Sequence, residues 1–218
     1  MSVEGSNDRW NYLINALKRK GIIRSDQVER ALSTVPRDLF VPENLMDTAY
    51  NDRPLPIGNG QTISAPHMVA IMAEEIRIEP GMKILEIGTG SGYHAAVISH
   101  ITGEKGRVFS IERIHSLVIE ARRNLSETGI ENVTVVEGDG SIGLEKEAPY
   151  DRIYYTCAAP EVPGIVKEQV KDGGIILAVV GPKNDTQQLI RYDRKGDKLR
   201  KKKLTYCMFV PLLGEKGY

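Results

Sequence analysis

Three glycines at alternate positions, Gly88, Gly90 and Gly92, follow directly on the apolar run that starts at Ile84. A short apolar run that breaks into glycines reads as a buried strand ending in a tight turn. From Tyr93 the residues Val97, Ile98 and Ile101 recur at helical spacing. A strand, a glycine turn and a helix bring bare backbone N–H groups up to a nucleotide-like ligand. Glu112 closes the next apolar run, 20 residues beyond Gly92. There a carboxylate's two oxygens can accept from both hydroxyls of a ribose. Asp139, followed by Gly140, ends a third run; it can accept from the exocyclic amine of an adenine, with Gly140 keeping the ring edge accessible. A fourth run ends Thr156-Cys157-Ala158-Ala159-Pro160, small residues that leave space for a reacting group. Each feature alone also fits a ligand-free turn. Their order on successive strand ends is what points to a nucleoside-containing cofactor.

The spacing narrows the choice. A dinucleotide fold asks for Gly-x-Gly-x-x-Gly/Ala, and Tyr93 stands at its third glycine. No Gly-Lys-Ser/Thr follows, so this is no phosphate loop. What remains resembles motif I of class I S-adenosylmethionine-dependent methyltransferases, whose turn makes room for a ribose and an amino-acid chain.

Several elements must position these residues. Trp10, Leu13, Ile14 and Leu17 mark a first helix, opened after Ser6 and ended by Gly21. Ser25 opens a second, with Val28, Ala31, Leu32 and Val35 on one stripe. These helices have no strand between them and read as a cap on the main sheet. Residues 37–63 carry little periodicity and several Pro and Gly, a long irregular connection of the kind that is often functional. Ser64 reads as the N-cap of a helix with Met68, Ile71 and Met72 inward. Strands at 83–87, 107–111, 132–136, 150–156 and 174–180 then alternate with helices at 92–102, 114–127 and 162–170. That alternation predicts an α/β fold: a doubly wound, mostly parallel sheet. Residues 188–211 read as a closing antiparallel hairpin. One domain is expected over 1–218: N-terminal helices and a substrate-side loop (1–63), the cofactor-binding core (64–182) and the C-terminal hairpin (183–218).

Composition removes other classes. The chain has 218 residues, with 29 basic and 29 acidic side chains, so no long-range field favours nucleic acid or an anionic membrane. The run Arg200-Lys201-Lys202-Lys203 reads as a solvated strand edge. Cys157 and Cys207 form no framework and read as buried small hydrophobes. The four histidines lack metal-ligand spacing, and no metal is expected. No signal peptide or membrane span is evident, so a cytoplasmic protein is expected, and nothing calls for more than a monomer.

The segment Gln61-Thr62-Ile63-Ser64-Ala65-Pro66-His67-Met68 adds a sharper resemblance. With Gly138-Asp139-Gly140, Ala148-Pro149-Tyr150-Asp151, Ala158-Ala159-Pro160 and Phe209-Val210-Pro211-Leu212, it is similar to the protein-L-isoaspartate (D-aspartate) O-methyltransferases. The resemblance runs from the first helix to the last strand. It implies methyl transfer from S-adenosylmethionine to the free α-carboxylate of an L-isoaspartyl residue in a damaged protein, followed by closure to a succinimide. It implies a functional serine at Ser64 and cofactor contacts at Gln61, Thr62, Ile63, Ser64, Glu86, Glu112, Asp139 and Gly140, alongside the glycines. It implies a grip on the substrate peptide by Val210, Pro211 and Leu212, with His67 and Ala158 beside the same site. Two positions depart from the pattern. Val69 stands where some relatives carry a second histidine, and Leu213 where some carry a threonine.

The chemistry agrees with the residues. A carboxylate, with a reference pKa near ~4, is ionised at neutral pH and needs no general base. Anion and sulfonium lose their charges together, so a dry cleft lowers the barrier. The small and apolar groups at Ile63, Ala158, Val210 and Leu212 suit such a cleft. Ser64 can orient the carboxylate by donating a hydrogen bond. Still open at this point are a methyltransferase acting on a small molecule or RNA, a protein that binds the cofactor without chemistry, and a nicotinamide enzyme.

Overall fold

The computed structural model describes residues 3–218, with side chains from Asp8 onward. Its frame is a seven-stranded sheet in the order β5-β4-β3-β6-β7-β8-β9. The strands are β3 (Lys83–Ile87), β4 (Arg107–Glu112), β5 (Val133–Glu137), β6 (Tyr150–Ala159), β7 (Val170–Val180), β8 (Gln187–Lys195) and β9 (Lys198–Cys207). From β5 to β7 all neighbours run parallel, and β8 and β9 close the sheet antiparallel. The chain winds outward from β3 through β4 to β5, then returns to lay β6 on the other side of β3. That reversal opens a crevice at the carboxyl ends of β3 and β6, where α/β sheets take their ligands.

Alternation along the strands builds two apolar layers. Ile84, Val108, Tyr154 and Leu177 face one layer, and Leu85, Ile87, Ile153, Tyr155 and Ile176 face the other. The first layer is covered by α4 (Tyr93–Thr102), α5 (His115–Glu127) and the N-terminal helices α1 (Val3–Arg19), α2 (Asp26–Thr34) and α3 (Pro66–Glu75). Trp10 anchors this cap by donating its indole N–H to the Leu32 carbonyl at 2.9 Å. Ser25 caps α2, accepting from the Val28 N–H. Helix α1 begins at Val3, so Ser6 lies within it and does not precede it; the Ser6 side chain lies outside the described residues.

Four local expectations change. Helix α3 begins at Pro66 with Ala65 as its N-cap and no side-chain cap bond, so Ser64 is not the cap. The chain leaves a strand at Ile63 and turns only after Ala65, because Pro66 suits the first helical position. Residues 37–63 are not wholly irregular. They hold two 3₁₀ turns (Arg37–Phe40 and Glu43–Thr48) and an antiparallel hairpin of β1 (Leu55–Gly58) and β2 (Gln61–Ile63). Helix α6 spans only Gly164–Glu168, and β7 starts already at Val170, extended by an irregular register against β6. Cys157 is buried as expected, whereas Cys207, on the outer strand, is only half-buried. The run Arg200 to Lys203 lies on the exposed outer strand, as a solvated edge should.

Candidate active site

The crevice at the ends of β3 and β6 is a cavity walled from four sides. Gly88, Thr89, Gly90 and Ser91 form its floor, and Glu112, Arg113, Ile114 and Gly140 one flank. Gln61, Thr62, Ile63 and Ser64 supply the wall from β2, and Val210, Pro211, Leu212 and Leu213 the opposite lip.

The floor is held by its neighbours. The N–H groups of Gly88 and Thr89 both donate to the Ile111 carbonyl, at 2.9 and 3.1 Å, which ties the turn to the end of β4. Gly88 has φ +99°, and a Cβ there would lie 2.5 Å from Thr156 Oγ1. At Gly140 a Cβ would meet Ile87 Cγ2 at 2.7 Å. Neither position has room for a side chain against these neighbours.

Glu112 is the anionic group of the cleft. Its Oε1 accepts from the N–H groups of Arg113 and Ile114 at 2.9 and 3.0 Å, and its Oε2 from Gly90 at 3.0 Å. Three of a carboxylate's four lone-pair positions are thus used to fix it, and one, on Oε2, is left for a ligand.

Ser64 lies on the lining with a hydroxyl that has no protein partner among the described residues. Its carbonyl accepts from Arg37 Nη2 at 3.0 Å. Arg37 is fully buried and also reaches the carbonyls of Ala49 and Arg53. Burial lowers its pKa to about 10, so it stays charged at neutral pH. A buried cation spreading over three carbonyls thus holds the segment that presents Ser64. Sequence periodicity carried no sign of it.

The C-terminal lip is fixed by backbone pairing. Ala158 N–H donates to the Val210 carbonyl at 2.8 Å, and Leu212 N–H to the Ala158 carbonyl at 2.7 Å. Ala158 therefore sits behind the lip and not on the lining. His67 is also set back, with its ring nitrogen 2.8 Å from Asp52. Gly92 is the N-cap of α4, beneath the floor. Asp139 is turned away from the cleft: its oxygens accept from the N–H groups of Ser141 and Glu215 at 2.8 and 2.7 Å. The bond to Glu215 binds the chain's end, a long-range contact that an Asp-Gly turn does not reveal.

Glu86 is also set back from the lining. It is fully buried, and Tyr154 Oη donates to it at 2.8 Å while Ser110 Oγ donates to its second oxygen. Burial raises its pKa to about 8; the two hydrogen bonds oppose the rise, and the charge of Glu112 adds to it. The folded value lies above the ordinary 4.5, so folding takes up a proton between those values. The associated stability is fully present below pH 4.5 and lost as pH rises through 8. We expect Glu86→Gln to remove a slope of roughly 1.4 kcal/mol per pH unit in that window. Urea denaturation from pH 5 to 9 measures it, and an unchanged slope would mean that Glu86 is ionised throughout.

Thr156 and Cys157 line the cleft from the fourth strand end, whereas Tyr93 and His94 on the lining had no sign in the sequence reading. In the sequence Tyr93 and His94 look like the start of an apolar helix, and only the packing turns them to the cleft. Burial pushes the Cys157 thiol up, so it is no nucleophile at neutral pH. No group of His, Cys, Asp and Glu among the described residues could hold a metal ion. No helix among them is long and apolar enough to cross a membrane.

A glycine turn after the first parallel strand, a fixed carboxylate at the end of the second and a cleft at the winding reversal define a class I S-adenosylmethionine-dependent methyltransferase. The family model described as Protein-L-isoaspartate(D-aspartate) O-methyltransferase matches residues 8–217, and the chain belongs to that family. A protein-L-isoaspartate O-methyltransferase of Methanothermobacter thermautotrophicus is 49% identical over 212 residues, covering 97% of this chain and 98% of the relative. A solved protein-L-isoaspartate O-methyltransferase superposes with TM-score 0.87 at 33% identity, over 95% of this chain and 67% of the other. A Plasmodium falciparum structure described as an enzyme of the same name, in complex with S-adenosyl-L-homocysteine, superposes with TM-score 0.82 at 27% identity, over 93% of this chain and 97% of the other.

Proposed function

We propose that this chain transfers the methyl group of S-adenosylmethionine to the free α-carboxylate of L-isoaspartyl residues in damaged proteins and peptides, starting their repair through a succinimide. The observation that carries the reading is the meeting, in one cleft of a chain of this family, of the Gly88–Gly92 turn, Glu112 and the unpartnered Ser64 hydroxyl.

The bound donor supplies a methyl group made electrophilic by the positive sulfur. Glu112 accepts from a ribose hydroxyl at its free position, and Gly88 and Gly90 let the backbone close on the donor. Gln61 to Ile63 cover it from β2, and Gly140 gives space for the base. Asp139 reaches the adenine edge only through its backbone or by releasing the chain's end, and Glu86 supports the floor from beneath. Ser64 donates to the substrate carboxylate, which keeps its charge while its other oxygen faces the methyl carbon. The apolar lip of Val210, Pro211 and Leu212, backed by Ala158, excludes water beside that oxygen. His67, paired with Asp52, stays off the lining, so a role in gripping the substrate falls to the lip and Ser64. No group here has to move a proton, since an ionised carboxylate is already the nucleophile. Alignment of oxygen, carbon and sulfur is the remaining task, worth up to about 7–11 kcal/mol of a barrier.

The three segments 1–63, 64–182 and 183–218 act as one domain, with the cleft walled by all of them. We further propose that it acts as a monomer in the cytoplasm, the first supported by a cleft lined within one chain; its 29 basic and 29 acidic side chains balance. The same balance favours protein over nucleic acid as substrate. A synthetic peptide with one L-isoaspartyl residue, set beside its aspartyl twin, tests this. Methyl label is expected in the first alone, as a base-labile ester. Equal labelling of both peptides, or base-stable label in tRNA, would overturn the reading.

A further inference from the structure

The β1–β2 hairpin turns at Asn59-Gly60, the one place in the chain where glycine follows an asparagine. Both residues are exposed and both have positive φ, +52° and +69°, the backbone of a tight two-residue turn. The Asn59 side chain is held at one point, where its Nδ2 donates to Ser116 Oγ of α5 at 3.1 Å. Nothing among the described residues accepts from the Gly60 N–H, and a Cβ at Gly60 would meet no atom within 4 Å.

These groups form a reactive pair. When the exposed tip opens locally, the Gly60 nitrogen, giving its proton to solvent, can bond to the Asn59 side-chain carbon. The bond from that carbon to the amide nitrogen breaks, and ammonia leaves with a proton from water. A side chain on the second residue would crowd the attack, and glycine has none. Water then opens the five-membered imide at either carbonyl. Opening at the side-chain carbonyl gives aspartate. Opening at the main-chain carbonyl gives an isoaspartyl residue, with the chain running through the side-chain carbon.

The two products differ in what they do to the cleft. Aspartate keeps the chain length and an oxygen able to accept from Ser116. The isoaspartyl form adds a methylene between Gly58 and Gln61, which the hairpin pairs directly. Gln61, Thr62, Ile63 and Ser64 follow that pair and wall the cleft. Turn length fixes the register of a hairpin, so a longer turn shifts the wall against the rest of the site.

We propose that Asn59 is a site of spontaneous deamidation, and that its isoaspartyl form displaces the β2 wall of the cleft. Deamidation here is a property of the chain alone and does not depend on which substrate the cleft takes.

The full chain, held in mildly alkaline buffer to favour loss of the Gly60 amide proton, is mapped by mass spectrometry of its peptides. An acid is expected at residue 59, resistant in part to a protease that cuts before aspartate and not isoaspartate. Asn184 is the internal comparison: it is also exposed, with φ +60°, but Asp185 follows it, and it is expected to stay an amide. Asn59 unmodified, modified no faster than Asn184, or converted to aspartate alone would overturn the proposal. The isoaspartyl fraction, separated by chromatography, is expected to bind S-adenosylhomocysteine about three-fold or more weakly. Asn59→Asp carries the same added charge on an unaltered main chain and is expected to bind as wild type. Equal weakening of both, or of neither, would overturn the effect on the wall.

Discussion

Ser64→Ala is expected to lower turnover of an isoaspartyl peptide by roughly 100-fold, the usual consequence of misplacing a reacting group by about 1 Å. The hydroxyl lines the cleft and makes no bond to the protein among the described residues. The substitution therefore removes no fold contact. It does not touch the Ser64 carbonyl, which Arg37 keeps in place. Had Ser64 capped α3, its loss would cost about 1 kcal/mol of stability. With Ala65 at the cap, the melting temperature is expected to stay unchanged. Affinity for S-adenosylhomocysteine should also hold, since the carboxylate it orients belongs to the other substrate. Single-turnover kinetics, calorimetry and thermal unfolding on one preparation check all three. A fall in melting temperature that matches the fall in rate would make Ser64 a structural residue.

Glu112→Ala is expected to weaken S-adenosylhomocysteine by about 1.5–3 kcal/mol, the range for hydrogen bonds to a charged group. Two effects combine. The ribose loses its acceptor, and the N–H groups of Gly90, Arg113 and Ile114 lose theirs. Because Gly90 belongs to the floor of the cleft, part of the loss comes from a turn no longer held for binding. Glu112→Gln keeps two polar atoms in the same place but turns one from acceptor to donor, facing backbone N–H groups. It should fall between wild type and alanine. A dissociation constant unchanged by Glu112→Ala would remove this carboxylate from the site.

The two residues differ in how they could be found. Glu112 follows from a local rule, since an acidic residue closing the strand after a glycine turn must stand at the same sheet edge as the turn. Ser64 came from resemblance, and its local reading as a cap was wrong because a strand–turn–helix junction can start its helix at either of two positions. Arg37 could not be found at all. Its partners lie 12, 16 and 27 residues along the chain, and a lone arginine after a proline has the pattern of a surface turn. The β1–β2 hairpin was hidden for a related reason. It is three or four residues long per strand and is stabilised by what it packs on.

From the order of residues alone came the parallel sheet with its closing hairpin, the turn of glycines, the carboxylate at the second strand's end and the absence of metal-binding spacing. These depend on periodicity and on short offsets, which a chain must satisfy wherever it folds. Only the tertiary structure decided that Asp139 is engaged by the chain's end, that Glu86 lies under the floor with a raised pKa, that Arg37 supports Ser64, and that His94 is buried beside the cleft with both nitrogens unpaired. Those facts depend on burial and on contacts between distant segments. A residue's letter and its neighbours do not reveal how much water it will lose.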